Sequence, residues 1–290
     1  MSFRLSAKWK GSVVLAAGAA LALALAGCNK LKLGYEYADW LMVYSVEDNF
    51  DLDKAQRSRL KEDVDGYFRW HRTQMLPVYA DFLAFVADSV RNGLRPSEVD
   101  SGYARYKALF KRTMEPVTDK SVNLLSALTP QQVDDWLEKQ RKKNQKLRKE
   151  FSGSIEDRLD HRFHKIVDEM EDWTGRLTKE QKTKIKALNA TLPWNGNLWL
   201  DMREKVQEHL GELLKKKAPQ AELRGYLSTY YLETDSLRSE EYRIKNKEFE
   251  TRLRTLIYVI HNTLTYEQKR HFIQQVEKLE RDFRALSKQE

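Results

Sequence analysis

The chain has 290 residues, 41% of them hydrophobic and 32% charged, with a formal net charge of +8. That balance excludes a disordered polymer and supplies enough apolar mass for one large domain or two small ones. Its only cysteine, Cys28, excludes an intrachain disulfide.

The N-terminus opens with three basic residues, Arg4, Lys8 and Lys10, followed by an apolar run from Val13 to Gly27. That run is shorter than the ~20 apolar residues of a membrane-spanning helix and fits the core of a secretory signal. It ends in Leu25, Ala26, Gly27 and Cys28. Small residues there let a signal peptidase approach the backbone, and a thiol can carry a diacylglycerol. The stretch resembles the lipobox of bacterial lipoproteins, which implies a signal peptide over 1–27, an acylated Cys28 and a tether over 28–34. Loss of residues 1–27 removes three basic and no acidic residues, lowering the net charge from +8 to +5. In such lipoproteins an Asp after the cysteine retains the protein in the inner membrane. Asn29 stands here, so the resemblance implies a lipid-anchored outer-membrane protein facing the periplasm.

From Tyr35 onward the apolar residues recur at spacings of three and four, the period of helices. Tyr37, Trp40, Leu41 and Tyr44 mark a first helix, and Leu60, Val64, Tyr67 and Phe68 a second. Phe82, Phe85, Val86 and Val90 mark a third, which stops at Gly93. A stripe from Val99 through Phe110 and Met114 to Leu128 passes a bend expected at Pro116. Met202, Val206, Leu210 and Leu213 continue the pattern, then Leu223 and Leu227, then Phe249 to Leu264. No strand alternation occurs. The expected fold is all-α, one elongated multi-helix bundle over 35–290 with one or more long helices. Unbroken, the segment from Pro130 to Trp173 would span about 65 Å at 1.5 Å per residue, unless Ser152-Gly153-Ser154 interrupts it.

A short motif recurs four times, as LDKAQ at Leu52, LTPQQ at Leu128, LTKEQ at Leu177 and LTYEQ at Leu264. Thr or Asp at the second position suits an N-cap, Gln three residues on closes a capping box, and the leading Leu acts as a hydrophobic staple. Pro130 falls at the first helical position, where its missing N–H costs least. L-T-x-x-Q also resembles the signature of periplasmic stress chaperones of the Spy and CpxP type, which implies a chaperone-like surface for unfolded clients. A second resemblance rests on Tyr35-Glu-Tyr-Ala-Asp-Trp40, Phe50-Asp-Leu-Asp and Trp70-His-Arg72. These residues are similar to an uncharacterised family of proteobacterial lipoproteins without an assigned activity.

Common catalytic signatures are missing, and no histidine has Glu three residues before it, as helical di-iron sites require. Asp157, His161, His164 and Asp168 share one helix face, and two imidazoles with a carboxylate are zinc or nickel ligands. A metal-dependent hydrolase is therefore one alternative. Ile155, Leu159, Phe163 and Ile166 lie opposite, which turns the His stripe toward solvent, so no metal and no cofactor is expected. Lys139, Arg141, Lys142, Lys143, Lys146, Arg148 and Lys149 form a basic block with no apolar side chain between Leu137 and Leu147. A helix polar all round projects into water. The block is the candidate electrostatic contact for phospholipid headgroups, an acidic client or another envelope protein, and nucleic acid is not an expected partner. The function expected is non-catalytic binding or scaffolding.

Overall fold

The computed structural model describes residues 34–289. Among them are eleven α-helices and no strand. In chain order these are α1 (Ala38–Phe50), α2 (Lys54–Trp70), α3 (Leu76–Arg91), α4 (Pro96–Ser126), α5 (Pro130–Phe151) and α6 (Ile155–Thr174). They continue with α7 (Lys179–Thr191), α8 (Gly196–Lys215), α9 (Gln220–Leu232), α10 (Glu240–His261) and α11 (Tyr266–Leu286). No helix among the described residues is long and apolar enough to cross a membrane.

Helix boundaries follow local chemistry. Pro116 lies inside α4, whose 31 residues span about 46 Å at 1.5 Å per residue. The segment from Pro130 to Trp173 is broken: α5 ends at Phe151, and Ser154 caps α6 by accepting from the Asp157 N–H at 3.0 Å. Gly93 has φ +85°, the left-handed conformation that a helix stop favours. Between α2 and α3 the chain makes a π-helical turn, His71–Met75, in which the Leu76 N–H reaches back five residues to the His71 carbonyl. Pro77 follows, and it has no N–H and crowds the carbonyl four residues earlier, so the wider turn relieves the mismatch.

Burial revises three of the expected faces. In α1 the residues Tyr37, Trp40, Leu41 and Tyr44 are exposed, and the sealed face is Ala38, Val46, Asn49 and Phe50 instead. Phe82, Phe85 and Val86 are only half-buried, and the sealed face of α3 is Leu76, Tyr79, Ala80, Ala87 and Val90. Ile155 is exposed rather than packed. The main core draws on α1 to α5, α8, α9 and α11, with Met75, Met114, Val122 and Leu128 almost wholly enclosed. A second, smaller core joins Val167, Leu177, Ile185, Leu192, Leu256 and Ile260 from α6, α7, α10 and their linkers. The most extensive helix pairing is α3 with α11, where Phe283 lies 6.0 Å from the Tyr79 ring and Arg284 pairs with Asp81 at 2.9 Å.

Candidate functional site

The four recurrent motifs start helices, and they do so in pairs. Asp53, Thr129, Thr178 and Thr265 are the N-caps of α2, α5, α7 and α11, and in each case Gln56, Gln132, Gln181 or Gln268 closes the capping box. The glutamines then reach across to one another. Gln56 Nε2 donates to Gln132 Oε1 at 3.1 Å, and Gln132 Nε2 donates back to Gln56 Oε1 at 2.8 Å. Gln181 and Gln268 exchange the same two bonds at 2.7 and 3.0 Å. Each Nε2 also donates to the carbonyl just before the partner motif's Leu: Ala127, Asp51, Thr263 and Arg176 respectively. Each Oε1 accepts its own N-cap N–H at 2.8 to 3.0 Å. The result is two clasps of identical pattern, one joining α2 to α5 and the other α7 to α11.

Capping alone accepts Glu as readily as Gln at this position. The clasp does not, because a carboxylate has no N–H to give its partner or the neighbouring carbonyl. Gln at all four copies is therefore the signal in the sequence for the tertiary pairing, which capping grammar passes over.

The basic block on α5 does not project into water. α5 packs along α8 and touches α1 through a buried polar seam. Gln140 and Asn144 are sealed there with Arg203 and Gln207 of α8. Arg203 donates to Asn144 Oδ1 at 2.9 Å and to Gln140 Oε1 at 3.0 Å, and its guanidinium lies 5.6 Å from the Trp199 ring centre. Burial pushes the Arg203 pKa down. A helix with no apolar side chain over nine residues can thus pack, because uncharged amides at i and i+4 give the buried guanidinium its acceptors. The charged residues fan out on either side of that seam. Lys139 donates to the Asp48 carbonyl at 3.0 Å and Lys143 to Asn49 Oδ1 at 2.9 Å, placing two cations at the C-terminus of α1 where the helix dipole is negative. Burial lowers the Lys143 pKa. Arg141 and Lys142 pair with Glu138, and Arg148 bridges Asp201 and Glu204 of α8. Lys146 and Lys149 are exposed and have no ion pair among the described residues.

The His/Asp stripe on α6 is exposed at Asp157, His161, His164 and Asp168. The carboxylate that meets His164 is Asp160, at 3.4 Å, rather than either aspartate of the stripe. No metal-binding group of His, Cys, Asp and Glu occurs among the described residues. The helix's structural contact comes from Arg162, which donates to the Asn189 side chain at 2.6 Å and to the carbonyls of Asn189 and Leu192 at 2.8 and 2.9 Å, closing the C-terminal end of α7. Cys28 lies outside the described residues.

One histidine is sealed in the main core. His71 sits at the π-helical turn, 3.0 Å from the Tyr35 hydroxyl and edge-on to Tyr79. Burial pushes its pKa down to about 4, so it is neutral at physiological pH. Burial also pushes the Tyr35 phenol up to about 12.

The fold and these contacts define a class: an all-α bundle whose helix-starting motifs are pinned together in pairs beside its two larger cores. Over residues 48–243, more than half its length, the chain matches a family of unknown function, DUF6279, and it belongs to that family. No curated protein and no solved structure matches it.

Proposed function

We propose that this chain is an outer-membrane lipoprotein whose helical domain faces the periplasm and acts as a binding or scaffold module without catalysis. The observation that carries the reading is the junction Leu25-Ala-Gly-Cys28, which ends an apolar run and is followed by Asn29. The binding role is supported by the engagement of two buried ionisable groups. His71 and Arg203 spend their polar atoms on structural hydrogen bonds inside the protein, while Lys146 and Lys149 are left to meet a partner. In this reading the partner of the α5 block is an acidic envelope protein or client reached through those two lysines.

The chaperone alternative draws no support from the LTxxQ copies as a recognition surface, because their glutamines are engaged on both amide atoms. The hydrolase alternative would need the exposed His161 and His164 face to gather a metal.

The test is the mature N-terminus. Mass spectrometry of the membrane-extracted protein is expected to find a chain beginning at an acylated Cys28, recovered in the outer-membrane fraction. Cys28→Ser is expected to lose the acyl mass and that fractionation. A non-acylated chain that still begins upstream of residue 28 in wild-type cells would overturn the reading.

A further inference from the structure

Helix α1 is apolar on two sides. Its inner face, Ala38, Val46 and Phe50, is buried against α2 and α5. Its outer face carries Tyr37, Trp40, Leu41 and Tyr44 at i, i+3, i+4 and i+7, which are 60%, 59%, 43% and 50% exposed, with the Trp40 and Tyr44 rings stacked 5.6 Å apart. A helix with apolar residues on both faces is normally covered on both. Beside this outer face runs a groove of about 410 Å³ between α1 and α2, lined by Trp40, Val43, Lys54, Arg57 and Lys61 among others. Arg57 is held by Glu47 at 2.5 Å, whereas Lys54 and Lys61 are exposed and have no ion pair among the described residues. Asp39 and Asp65 also border the groove, so the two lysines act as point contacts and not as a broad cationic field.

We infer that the outer face of α1 is a membrane-docking surface, seated in the headgroup layer of the bilayer that holds the anchor, with Lys54 and Lys61 meeting lipid phosphates. This rests on the lipoprotein reading above. Six residues, 29–34, separate Cys28 from Tyr35, and fully extended they reach about 20 Å. The 13 residues of α1 are about 20 Å long themselves. The helix is thus kept at high effective concentration against the bilayer, and the side not packed on α2 and α5 meets it first. The residue types agree, since Trp and Tyr concentrate at the membrane–water interface, where the ring is buried and its polar edge stays wet, and lysines beside them favour anionic headgroups. The surface is distinct from the α5 block, and it lies mostly outside the matched family span, which begins at residue 48.

The test uses the acylated mature protein reconstituted in phosphatidylethanolamine vesicles with and without phosphatidylglycerol. Acylation consumes the Cys28 thiol, so Tyr44→Cys supplies the single free thiol for an environment-sensitive fluorophore. Lipids carrying a nitroxide near the headgroup are expected to quench about half of the emission of a label seated within ~5–10 Å of the headgroup–acyl boundary. The same label at Ile257→Cys, on α10, which packs on α4 and α7, is expected to show little quenching. Adding Trp40→Ser and Leu41→Ser should abolish the quenching at residue 44, and Lys54→Gln with Lys61→Gln should remove the increment that phosphatidylglycerol brings. Unchanged melting of each variant keeps a folding defect from imitating these losses. Quenching at residue 44 no greater than at residue 257 overturns the docking surface, as does a concentration-dependent shielding of the label that marks a second copy as the occupant. A Cys28 thiol free to take the label in the wild-type protein overturns the lipoprotein reading itself, whereas an acylated Cys28 with an unquenched residue 44 overturns docking alone.

Discussion

The two glutamine clasps have the same hydrogen bonds in different surroundings. Gln56 and Gln132 join α2 to α5 at the edge of the main core, where Gln132 is only half-buried. Gln181 and Gln268 join α7 to α11 beside the small core and are both sealed, 4% and 7% exposed. A polar pair at a wet edge can exchange a lost partner for water, but a sealed pair cannot. The same four-atom arrangement should therefore matter more in the C-terminal clasp, where fewer apolar neighbours share the task of holding the helices.

The largest effect expected follows directly. Gln181→Glu preserves the capping acceptor but points a carboxylate at Gln268 Oε1 and the Thr263 carbonyl, and a buried unpaired charge costs about 3 to 5 kcal/mol. Gln132→Glu should cost less, because Gln132 is half-buried and water reaches it, even though its partner Gln56 is sealed. Chemical denaturation of both variants measures the difference, and equal losses would remove the distinction between the clasps. The Gln181→Glu loss should shrink in acid as the carboxyl takes up a proton.

Next in size is a pH effect confined to the main core. His71 binds a proton at about pH 4 when folded and near 6.5 when unfolded, so between those values the unfolded chain holds more protons and stability falls as pH falls. Full stability is present above about pH 6.5, and the loss by pH 4 is on the order of 3 kcal/mol. Hydrogen exchange should show α2 and α3 loosening over that window before α7 and α10, and His71→Phe should flatten the slope.

Smaller again are the caps. Thr129→Ala, Thr178→Ala and Thr265→Ala should each cost roughly 0.5 to 2 kcal/mol in thermal or denaturant melts, since each hydroxyl accepts one N–H at 3.2 Å and the glutamine contacts survive. A Thr→Ala loss as large as that of Gln181→Glu would mean that the cap, and not the cross-pair, holds the helices. The smallest effect belongs to Lys146→Gln with Lys149→Gln, within about 0.5 kcal/mol for exposed side chains without an ion pair among the described residues, so any change in partner crosslinking reports on binding alone.

The helical class, the capping role of the four motifs and the stop at Gly93 were legible in the sequence because each depends on neighbours within four or five positions. What was hidden depends on distant partners. Nothing local to Lys139–Lys149 announces that Gln140 and Asn144 face a buried arginine 59 or more residues away on α8. The inner face of α3 was misplaced for a related reason: flanked by several helices, it half-buries residues all round, and periodicity then loses its contrast. The His stripe was correctly turned toward solvent, yet the role of its neighbour Arg162, which closes the end of α7, has no signature of its own.

The return of α11 onto α3 bears on how the chain is made. Asp81 and Arg284 meet across 203 positions, and α11 begins beyond residue 243, where the family match ends. During synthesis α3 emerges with its sealed face lacking the helix that covers it, and most of the chain must follow before that cover arrives. Contacts so distant in sequence slow folding and prolong the exposure of apolar surface. A nascent chain truncated after α10 should therefore be soluble only in the company of a holdase, although every helix but one is already present.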